Sequence, residues 1–318
     1  MPKVKKLRLA CCICENTDPD GYEVLYPLSR GEVIRCSRCD LIYVNDLPPL
    51  HDGQGDEYFA YWGIDVYQEL EGSFSEEFRQ ALEEITMFNH SPGKLLDIGC
   101  GPGYFLTVAR QYGWEAVGLD VSQDIVNLAG KRGERVFCCT VEEFAQKHPA
   151  ENFDCITLFN ILEHLVYPAR ALSVVRKILQ DNGIVVIETP TEDSLIRRTA
   201  HLLYRLSGGK CDHLTRQLYH CGGHHFGFSQ RTIRMLLASQ GFEVISIQPV
   251  LSSPKVALRK RKAELAKAKG LSENLVQLLL MGSIALAWLG ATIFGPRHVA
   301  NRMRIVARPE GSTALKHG

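Results

Sequence analysis

Short apolar runs alternate with amphipathic stretches from residue 94 onward. Strands that alternate with helices in this way are typical of a parallel sheet with helices on both faces. We therefore expect an α/β fold, doubly wound, with a mostly parallel sheet of seven strands. The predicted strands are 94–98, 115–120, 135–139, 153–159, 184–189, 242–248 and 303–308.

Helix signals fill the intervals between these strands. Ser122 and Ser229 stand where an N-cap is expected, and Gly241 stands where a glycine would end a helix. Asn182-Gly183 predicts a turn into the fifth strand. The predicted helices are 75–88, 104–112, 122–131, a short one from 141, 168–179, 192–206 and 229–241, with a glycine-, histidine- and cysteine-rich loop over 207–227.

A glycine-rich turn follows the first predicted strand and carries the most information about function. It reads Asp97-Ile98-Gly99-Cys100-Gly101-Pro102-Gly103. Glycines at three positions let the backbone bend sharply and let a ligand approach it closely. The next helix points its N-terminal N–H groups toward the same place. The order G-x-G-x-G differs from the G-x-G-x-x-G of dinucleotide-binding proteins.

Five segments in order resemble the motifs of class I S-adenosylmethionine (SAM)-dependent methyltransferases. They are the glycine turn, Gly118-Leu119-Asp120, Cys139-Thr140-Val141-Glu142, the run 153–160 followed by Leu162-Glu163-His164-Leu165, and 183–190. The Leu-Glu-His signature is similar to that of ubiquinone-type and related small-molecule methyltransferases. The resemblance covers roughly residues 75–250 and 303–309. It implies a Rossmann-like fold and SAM as cofactor; another doubly wound fold with a glycine turn is the alternative.

The resemblance also implies roles for individual residues. Asp120 would accept hydrogen bonds from the ribose hydroxyls, as acidic residues at strand ends do in dinucleotide sites. On its own, Asp120 is equally well explained as a solvated carboxylate. The implied cofactor-binding residues are Arg79, Asp97, Gly99, Gly101, Gly103, Asp120, Thr140, Val141, Phe159 and Asn160.

Two histidine positions are candidates for a general base. Methyl transfer depends mainly on alignment and desolvation, and a base adds about 10²–10⁴-fold where the nucleophile must lose a proton. His164 is the first candidate, because histidine titrates near neutral pH. His224 and His225 are the second. The alternative for His164 is a residue that only orients its loop.

Two Cys-x-x-Cys pairs near the N-terminus predict a metal site. Cys11 and Cys14 are separated from Cys36 and Cys39 by 21 residues, close to the spacing of four-cysteine zinc sites. A block of this size has too little core to fold alone, so that zinc would supply stability. The block resembles the N-terminal zinc ribbon attached to many bacterial methyltransferases. A redox pair or incidental cysteines are the alternatives.

A second group of metal-ligating residues lies in the late loop: Cys211, His213, His220, Cys221, His224 and His225. Its spacing matches no standard metal site, so we interpret it as a polar or substrate-facing loop.

Composition and charge narrow the function classes. The formal net charge is zero, which counts against a partnership with nucleic acid. The basic N-terminus continues into cysteines and polar residues rather than an apolar run, so we expect no secretory signal. A long chain with paired cysteines favours a reducing cytoplasm over disulfides.

An uncharged run of twenty residues, Leu275 to Phe294, follows a basic stretch, Lys255 to Lys269. Three interpretations stay open: a peripheral contact of 255–294 with the inner face of a membrane, a helix buried in the protein or in a homodimer, and a membrane span. A single span would leave strand 303–308 on the wrong side of the membrane.

The sequence thus predicts a SAM-dependent methyltransferase that acts on an oxygen or carbon of a small molecule, lipid-linked and carbohydrate acceptors included. The predicted divisions are a zinc-ribbon-like domain (1–50), a connector with a helix covering the active site (51–90), the methyltransferase domain (91–250), a basic and apolar helical insertion (251–300), and a last strand with the tail (301–318). The alternatives are an RNA methyltransferase whose ribbon binds substrate, a nicotinamide-dependent oxidoreductase and a non-catalytic scaffold.

Overall fold

The computed structural model describes residues 10–18, 20–28, 31–45, 64–88, 91–209, 218–219, 224–251, 281–282 and 300–312. Within them the strands are β1 (Tyr22–Pro27), β2 (Glu32–Cys36), β3 (Ile42–Val44), β4 (Lys94–Ile98), β5 (Glu115–Asp120), β6 (Val136–Cys138), β7 (Phe153–Phe159), β8 (Leu179–Pro190), β9 (Phe226–Gly227), β10 (Phe242–Val250) and β11 (Arg302–Pro309). The helices are α1 (Ile64–Phe88), α2 (Tyr104–Gln111), α3 (Gln123–Lys131), α4 (Val141–Lys147), α5 (Pro168–Ile178), α6 (Leu195–Leu206) and α7 (Gln230–Ser239), with a 3₁₀ turn at Leu162–His164.

The main sheet has seven strands in the order β10-β11-β8-β7-β4-β5-β6. Neighbours from β6 to β8 pair in parallel, and β11 is antiparallel to both β8 and β10. The predicted doubly wound, mostly parallel seven-stranded sheet is therefore confirmed. The carboxyl ends of its parallel strands meet at one edge, where such sheets bind ligands.

The fifth predicted strand differs from expectation at its start. β8 begins at Leu179, directly after α5, instead of after a turn at Asn182-Gly183. The register shifts where β8 passes Phe153 and Cys155, and this irregularity contains the Asn-Gly pair. A Cβ added at Gly183 would lie 3.0 Å from the carbonyl oxygen of Asp154. The glycine thus permits a close approach of two strands.

A second sheet of four strands has the order β1-β2-β3-β9. Three of its strands come from the cysteine-containing N-terminal block, whereas β9 comes from the late loop and pairs Phe226 with Tyr43. Cys11, Cys36 and Cys39 belong to the same hydrophobic core as residues of the main sheet. The N-terminal block is therefore packed against the rest of the protein; the predicted domain boundaries stay predictions.

Helix α1 is held to the last strand by ion pairs. Arg302 contacts Glu77 at 3.0 Å, and Arg304 contacts Glu84 at 3.0 Å. The part of the chain with described placement contains no helix long and apolar enough to cross a membrane. The predicted apolar run 275–294 lies outside the described residues, apart from residues 281 and 282.

Candidate cofactor and active site

The glycine turn between β4 and α2 adopts a backbone that favours glycine. Gly99, Gly101 and Gly103 have φ values of 73°, 53° and 81°, in the left-handed region that side chains with a Cβ rarely adopt. A Cβ on Gly99 would lie 2.7 Å from Ile161 Cγ1. The turn after β7 therefore covers the glycine turn in direct contact, and this contact was not predicted from the sequence.

Asp120 lies at the end of β5 and faces the same turn. Its Oδ2 accepts a hydrogen bond from the backbone N–H of Gly101 at 3.1 Å, and its Oδ1 accepts one from the N–H of Ser122 at 3.0 Å. The carboxylate is buried. Each carboxylate oxygen has more than one acceptor site, so that Asp120 can still accept hydrogen bonds from a ligand.

Asp97 lies beneath the turn and is buried. Its Oδ1 accepts a hydrogen bond of 2.7 Å from the Thr157 hydroxyl. Burial, together with the charge of Asp120, raises the pKa of Asp97 to about 7, although the Thr157 hydrogen bond acts in the opposite direction. Asp97 is therefore suited to support the turn rather than to carry a fixed negative charge.

Thr140 and Val141 follow β6 and lie beside the end of β5, because the N–H of Cys139 donates to the Asp120 carbonyl at 3.0 Å. Thr140 caps α4 in a reciprocal arrangement with Glu143. Val141 is buried. The structure thus brings these two residues near Asp120, as the implied adenine-binding role requires.

Phe159 ends β7, and Asn160 follows it directly. The Phe159 ring packs edge-on against Phe105 with centroids 4.8 Å apart. Asn160 has φ of 54°, and its N–H donates to the Glu188 carbonyl at 2.7 Å. Its side chain also hydrogen-bonds Glu188. Asn160 is therefore held in a left-handed turn that aims the segment 160–164 across the glycine turn.

Glu188 was missed by the sequence reasoning. Arg304 binds its carboxylate at 2.8 Å, and Arg302 binds it at 2.5 Å. Burial alone would raise the pKa of Glu188, but the two arginines hold it below the usual value. A glutamate inside an apolar strand and alternate arginines in the last strand were the available signals. The ion pairs between Glu188 and these arginines form because β11 lies next to β8, and this order of strands cannot be predicted from the sequence.

Arg79 is not brought to the glycine turn by any contact of the described residues. It lies on α1 with about half of its side chain exposed and pairs with Glu76. Its cofactor-binding role stays a prediction.

The two candidate bases are close together, although 60 residues separate them in the chain. The rings of His164 and His224 have centroids 4.8 Å apart. Burial holds the pKa of His224 well below its usual value, with His164 as the next cause. Its buried Nδ1 has no hydrogen-bond partner among the described residues. An imidazole of this kind is neutral at neutral pH and can accept a hydrogen bond, but its lowered pKa makes it a weak base.

Glu163 completes this group and was not predicted as a site residue. It is buried, accepts a 2.9 Å hydrogen bond from Thr189 and lies 4.0 Å from His164 Nε2. Burial raises the pKa of Glu163 to about 7. Ligand atoms of Glu163, His164 and His224 all lie within 4.8 Å of one another. Two imidazoles and a carboxylate can exchange protons or ligate a divalent cation.

His225 lies beside the histidine pair. Burial lowers the pKa of the His225 imidazole to about 4. The backbone N–H of His225 donates to the Glu163 carbonyl at 2.8 Å. The other members of the predicted late cluster, Cys211, His213, His220 and Cys221, lie outside the described residues.

The N-terminal cysteines come together as predicted. The sulfur atoms of Cys11 and Cys39 are 3.4 Å apart, those of Cys14 and Cys36 are 3.5 Å apart, and all four lie within 4.8 Å of one another. Tetrahedral zinc with Zn–S bonds of about 2.3 Å places its sulfur ligands about 3.8 Å apart. The four thiols therefore fit a zinc ion.

Comparison with known proteins identifies the family. Residues 57–247, more than half of the chain, match the family model described as a methyltransferase domain. The chain belongs to this methyltransferase family. A ubiquinone biosynthesis O-methyltransferase from Glaesserella parasuis is 32% identical over 116 residues, which cover 34% of this chain and 47% of that protein. An uncharacterized 37.1 kDa protein in transposon TN4556 of Streptomyces fradiae is 30% identical over 228 residues, covering 68% of this chain and 62% of that protein.

The matches cover about half to three fifths of the length of these relatives. Among solved structures, a mycolic acid cyclopropane synthase complexed with SAH and CTAB matches with a TM-score of 0.50 at 18% identity, covering 71% of this chain and 82% of that chain. This likeness concerns the fold. The predicted membership in the methyltransferases and the Rossmann-like fold are confirmed.

Proposed function

We propose that this protein transfers the methyl group of SAM to an oxygen or carbon atom of a small molecule. The observation that carries the proposal is the pairing of Asp120 with the glycine turn: a buried carboxylate bonded to the Gly101 N–H at 3.1 Å. A ligand in the turn would meet backbone N–H groups, which lack side-chain obstruction, and an acidic acceptor for hydroxyl groups. SAM, when bound, supplies an electrophilic methyl group on its sulfonium.

The side chains of this protein would then bind SAM and orient it toward the acceptor. Asp120 would accept hydrogen bonds from the ribose, Thr140 and Val141 would lie against the adenine, and the segment from Phe159 to His164 would border the reacting end. Ile161 covers Gly99 in this segment, so that His164 stands three residues from a residue in contact with the turn. His164 or the neutral His224 would take the proton of an acceptor hydroxyl.

Replacement of Asp120 tests the cofactor assignment. Asp120→Asn removes the negative charge and replaces one acceptor oxygen by an NH₂ donor, and we expect the affinity for SAM to fall about 10²-fold, because hydrogen bonds to charged groups contribute about 1.5–3 kcal/mol each. Titration calorimetry with SAM and its demethylated product measures the change. Asp124→Asn, an exposed aspartate at the start of α3, is the matched control. Equal SAM affinity of Asp120→Asn and wild type would contradict the ribose assignment.

The class of acceptor is tested with labelled SAM and a cell extract that is afterwards separated into small molecules, lipid, glycan and nucleic acid. We expect the label in a small-molecule, lipid or glycan fraction. Label in RNA would instead favour the alternative, an RNA methyltransferase that uses its N-terminal block for substrate binding. Binding of SAM without transfer to any fraction would indicate a scaffold.

We further propose that Cys11, Cys14, Cys36 and Cys39 hold one structural zinc ion. The distances between sulfur atoms, 3.4 Å for Cys11 and Cys39 and 3.5 Å for Cys14 and Cys36, support it. Such an ion would stabilise the small four-stranded sheet, which brings β9 and the adjoining His224 to the site.

A further inference from the structure

Helix α6 has an unusual distribution of side chains for a helix that packs on a folded protein. Its exposed apolar residues include Leu195, Leu202 and Leu206, with 58%, 55% and 75% of their surface accessible. These positions are seven and four residues apart, so they lie along one face of a helix. Leu203, beside them, is 42% exposed. A leucine face of this kind is therefore turned away from the protein.

The inward face of α6 combines the buried Ala200 with a polar network. Arg197 is buried and pairs with Glu192, whose side chain is 8% exposed, and His201 Nε2 lies 3.4 Å from the same carboxylate. Tyr219 donates to Glu192 at 2.5 Å. Because these contacts hold the inward face of α6 against the protein, its leucines are directed away from it.

The charges that border the leucine face favour an anionic partner. Arg198 and Arg205 are exposed on α6, and the helix contains no acidic residue. Arg198 contacts Asp193, which precedes the helix, at 3.2 Å. Leucines flanked by arginines are typical of helices that lie in the interface of a membrane containing anionic lipids.

The location of α6 fits the same partner. β8 ends at Pro190, opposite Arg302 of β11, which pairs with Val250 of β10. The N–H of Thr191, just before α6, donates to the Asn301 carbonyl at 3.0 Å. The chain between Val250 and Arg302 thus leaves and rejoins the sheet beside the start of α6, and its sequence from Lys255 to Lys269 is strongly basic.

We propose that the exposed face of α6, formed by Leu195, Leu202, Leu203 and Leu206 with Arg198 and Arg205, docks on an anionic phospholipid surface. The leucines enter the boundary between headgroups and acyl chains, and the arginines face lipid phosphates. This places the carboxyl edge of the sheet, where the candidate site lies, next to the membrane. The docking itself does not depend on methyl transfer.

The test uses the full chain and flotation with vesicles of equimolar phosphatidylglycerol and phosphatidylcholine, or of phosphatidylcholine alone. The double variant Leu202→Gln/Leu206→Gln should reduce the partition coefficient on anionic vesicles by about tenfold or more, because two large apolar side chains are lost from the interface. Arg205→Gln should weaken binding to anionic vesicles only. Met87→Gln on α1, where Met87 is 66% exposed, is the matched control and should bind like wild type.

Other occupants of the face give different results. If a second copy covers it, the double variant converts a dimer to a monomer in light scattering and wild type does not float. If the segment 252–299 covers it, the double variant lowers the melting temperature and wild type does not float. Equal flotation of the double variant and wild type would also overturn the proposal. Unchanged SAM affinity shows that the double variant is folded. If the double variant does not fold, the single variant Leu206→Gln replaces it in the flotation test.

Discussion

Burial and partners, rather than residue type, set the charge of the acidic groups around the candidate site. Asp97 and Glu163 are enclosed with hydroxyl partners, and their pKa values rise to about 7. Glu188 is equally buried, but two arginines keep its pKa low. Asp120 receives two backbone N–H groups. The sequence shows four acids near strand ends and does not show which remain charged, since this depends on contacts across the sheet.

Asp97 should make the stability of the protein depend on pH. Its pKa is about 3.8 in the unfolded chain and about 7 in the folded protein, so that the folded state binds the proton more tightly. The stabilising contribution is therefore full below pH 4 and is lost as the pH rises through 7. Between pH 5 and 8 the free energy of unfolding should fall by about 2–3 kcal/mol from this group.

Asp97→Asn keeps an acceptor for the Thr157 hydroxyl and removes the titration. Urea unfolding at pH 5 and pH 8 should therefore show a smaller decrease for this variant than for wild type. Glu163→Gln, measured alongside, accounts for the second acid with a raised pKa. An identical dependence on pH in wild type and Asp97→Asn would show that Asp97 is charged in the folded state.

At the scale of elements, the glycine turn was predicted from its own residues, whereas the element that covers it was not. Three glycines with positive φ form the turn, and Ile161 from the next strand end lies over Gly99. The contact joins positions that are distant in sequence, and it arises because Asn160 adopts a left-handed conformation against Glu188. The local sequence pattern therefore predicts the glycine turn and the helix that follows it, but not that Ile161 packs over the turn.

Gly99→Ala should be more damaging than an equivalent change elsewhere. The added Cβ meets both an unfavourable φ of 73° and a contact of 2.7 Å with Ile161. Gly133→Ala provides the matched control, because its φ is 81° and nothing lies within 4 Å of the added Cβ. The control should lose about 1–2 kcal/mol of unfolding free energy from backbone strain alone, and Gly99→Ala should lose more and also bind SAM more weakly.

Urea unfolding and calorimetry measure these effects, and Gly99→Ala/Ile161→Ala separates their causes. Removal of most of the Ile161 side chain should restore part of the lost stability if the contact is responsible. Losses of the same size for Gly99→Ala and Gly133→Ala would mean that the turn after β7 moves aside without cost.

For the whole molecule, the succession of strands and helices along the chain, and their assembly into one mostly parallel sheet, were predicted from hydrophobic pattern and motifs, because each element is local in sequence. The packing of the small sheet against the main sheet was not predicted. β9 contains only Phe226 and Gly227, too short for any periodic signal, yet it pairs with β3 of the cysteine-containing block. The His164–His224 pair has the same origin, since both histidines adjoin this junction. Both features depend on contacts between short segments that are distant in sequence, and the sequence pattern did not predict such contacts.

This junction changes what metal removal should do. A separate ribbon would unfold first and leave the larger sheet intact. In the structure, however, the Val44 N–H donates to the His225 carbonyl at 2.9 Å, and the cysteines share a core with the main sheet. We therefore expect loss of zinc to lower the midpoint of one cooperative unfolding transition, followed by both near-UV and far-UV circular dichroism.

Elemental analysis should find one zinc ion per chain, and Cys14→Ser/Cys36→Ser should abolish it. Cys138→Ser, an exposed cysteine outside the cluster, is the control and should retain both metal and stability. Because His225 adjoins the N-terminal block, the zinc-free variant should also lose hydrogen-exchange protection at residues 224–228, well beyond the N-terminal block itself. Two separate transitions, with protection at 224–228 unchanged, would show that the N-terminal block folds independently of the sheet it covers.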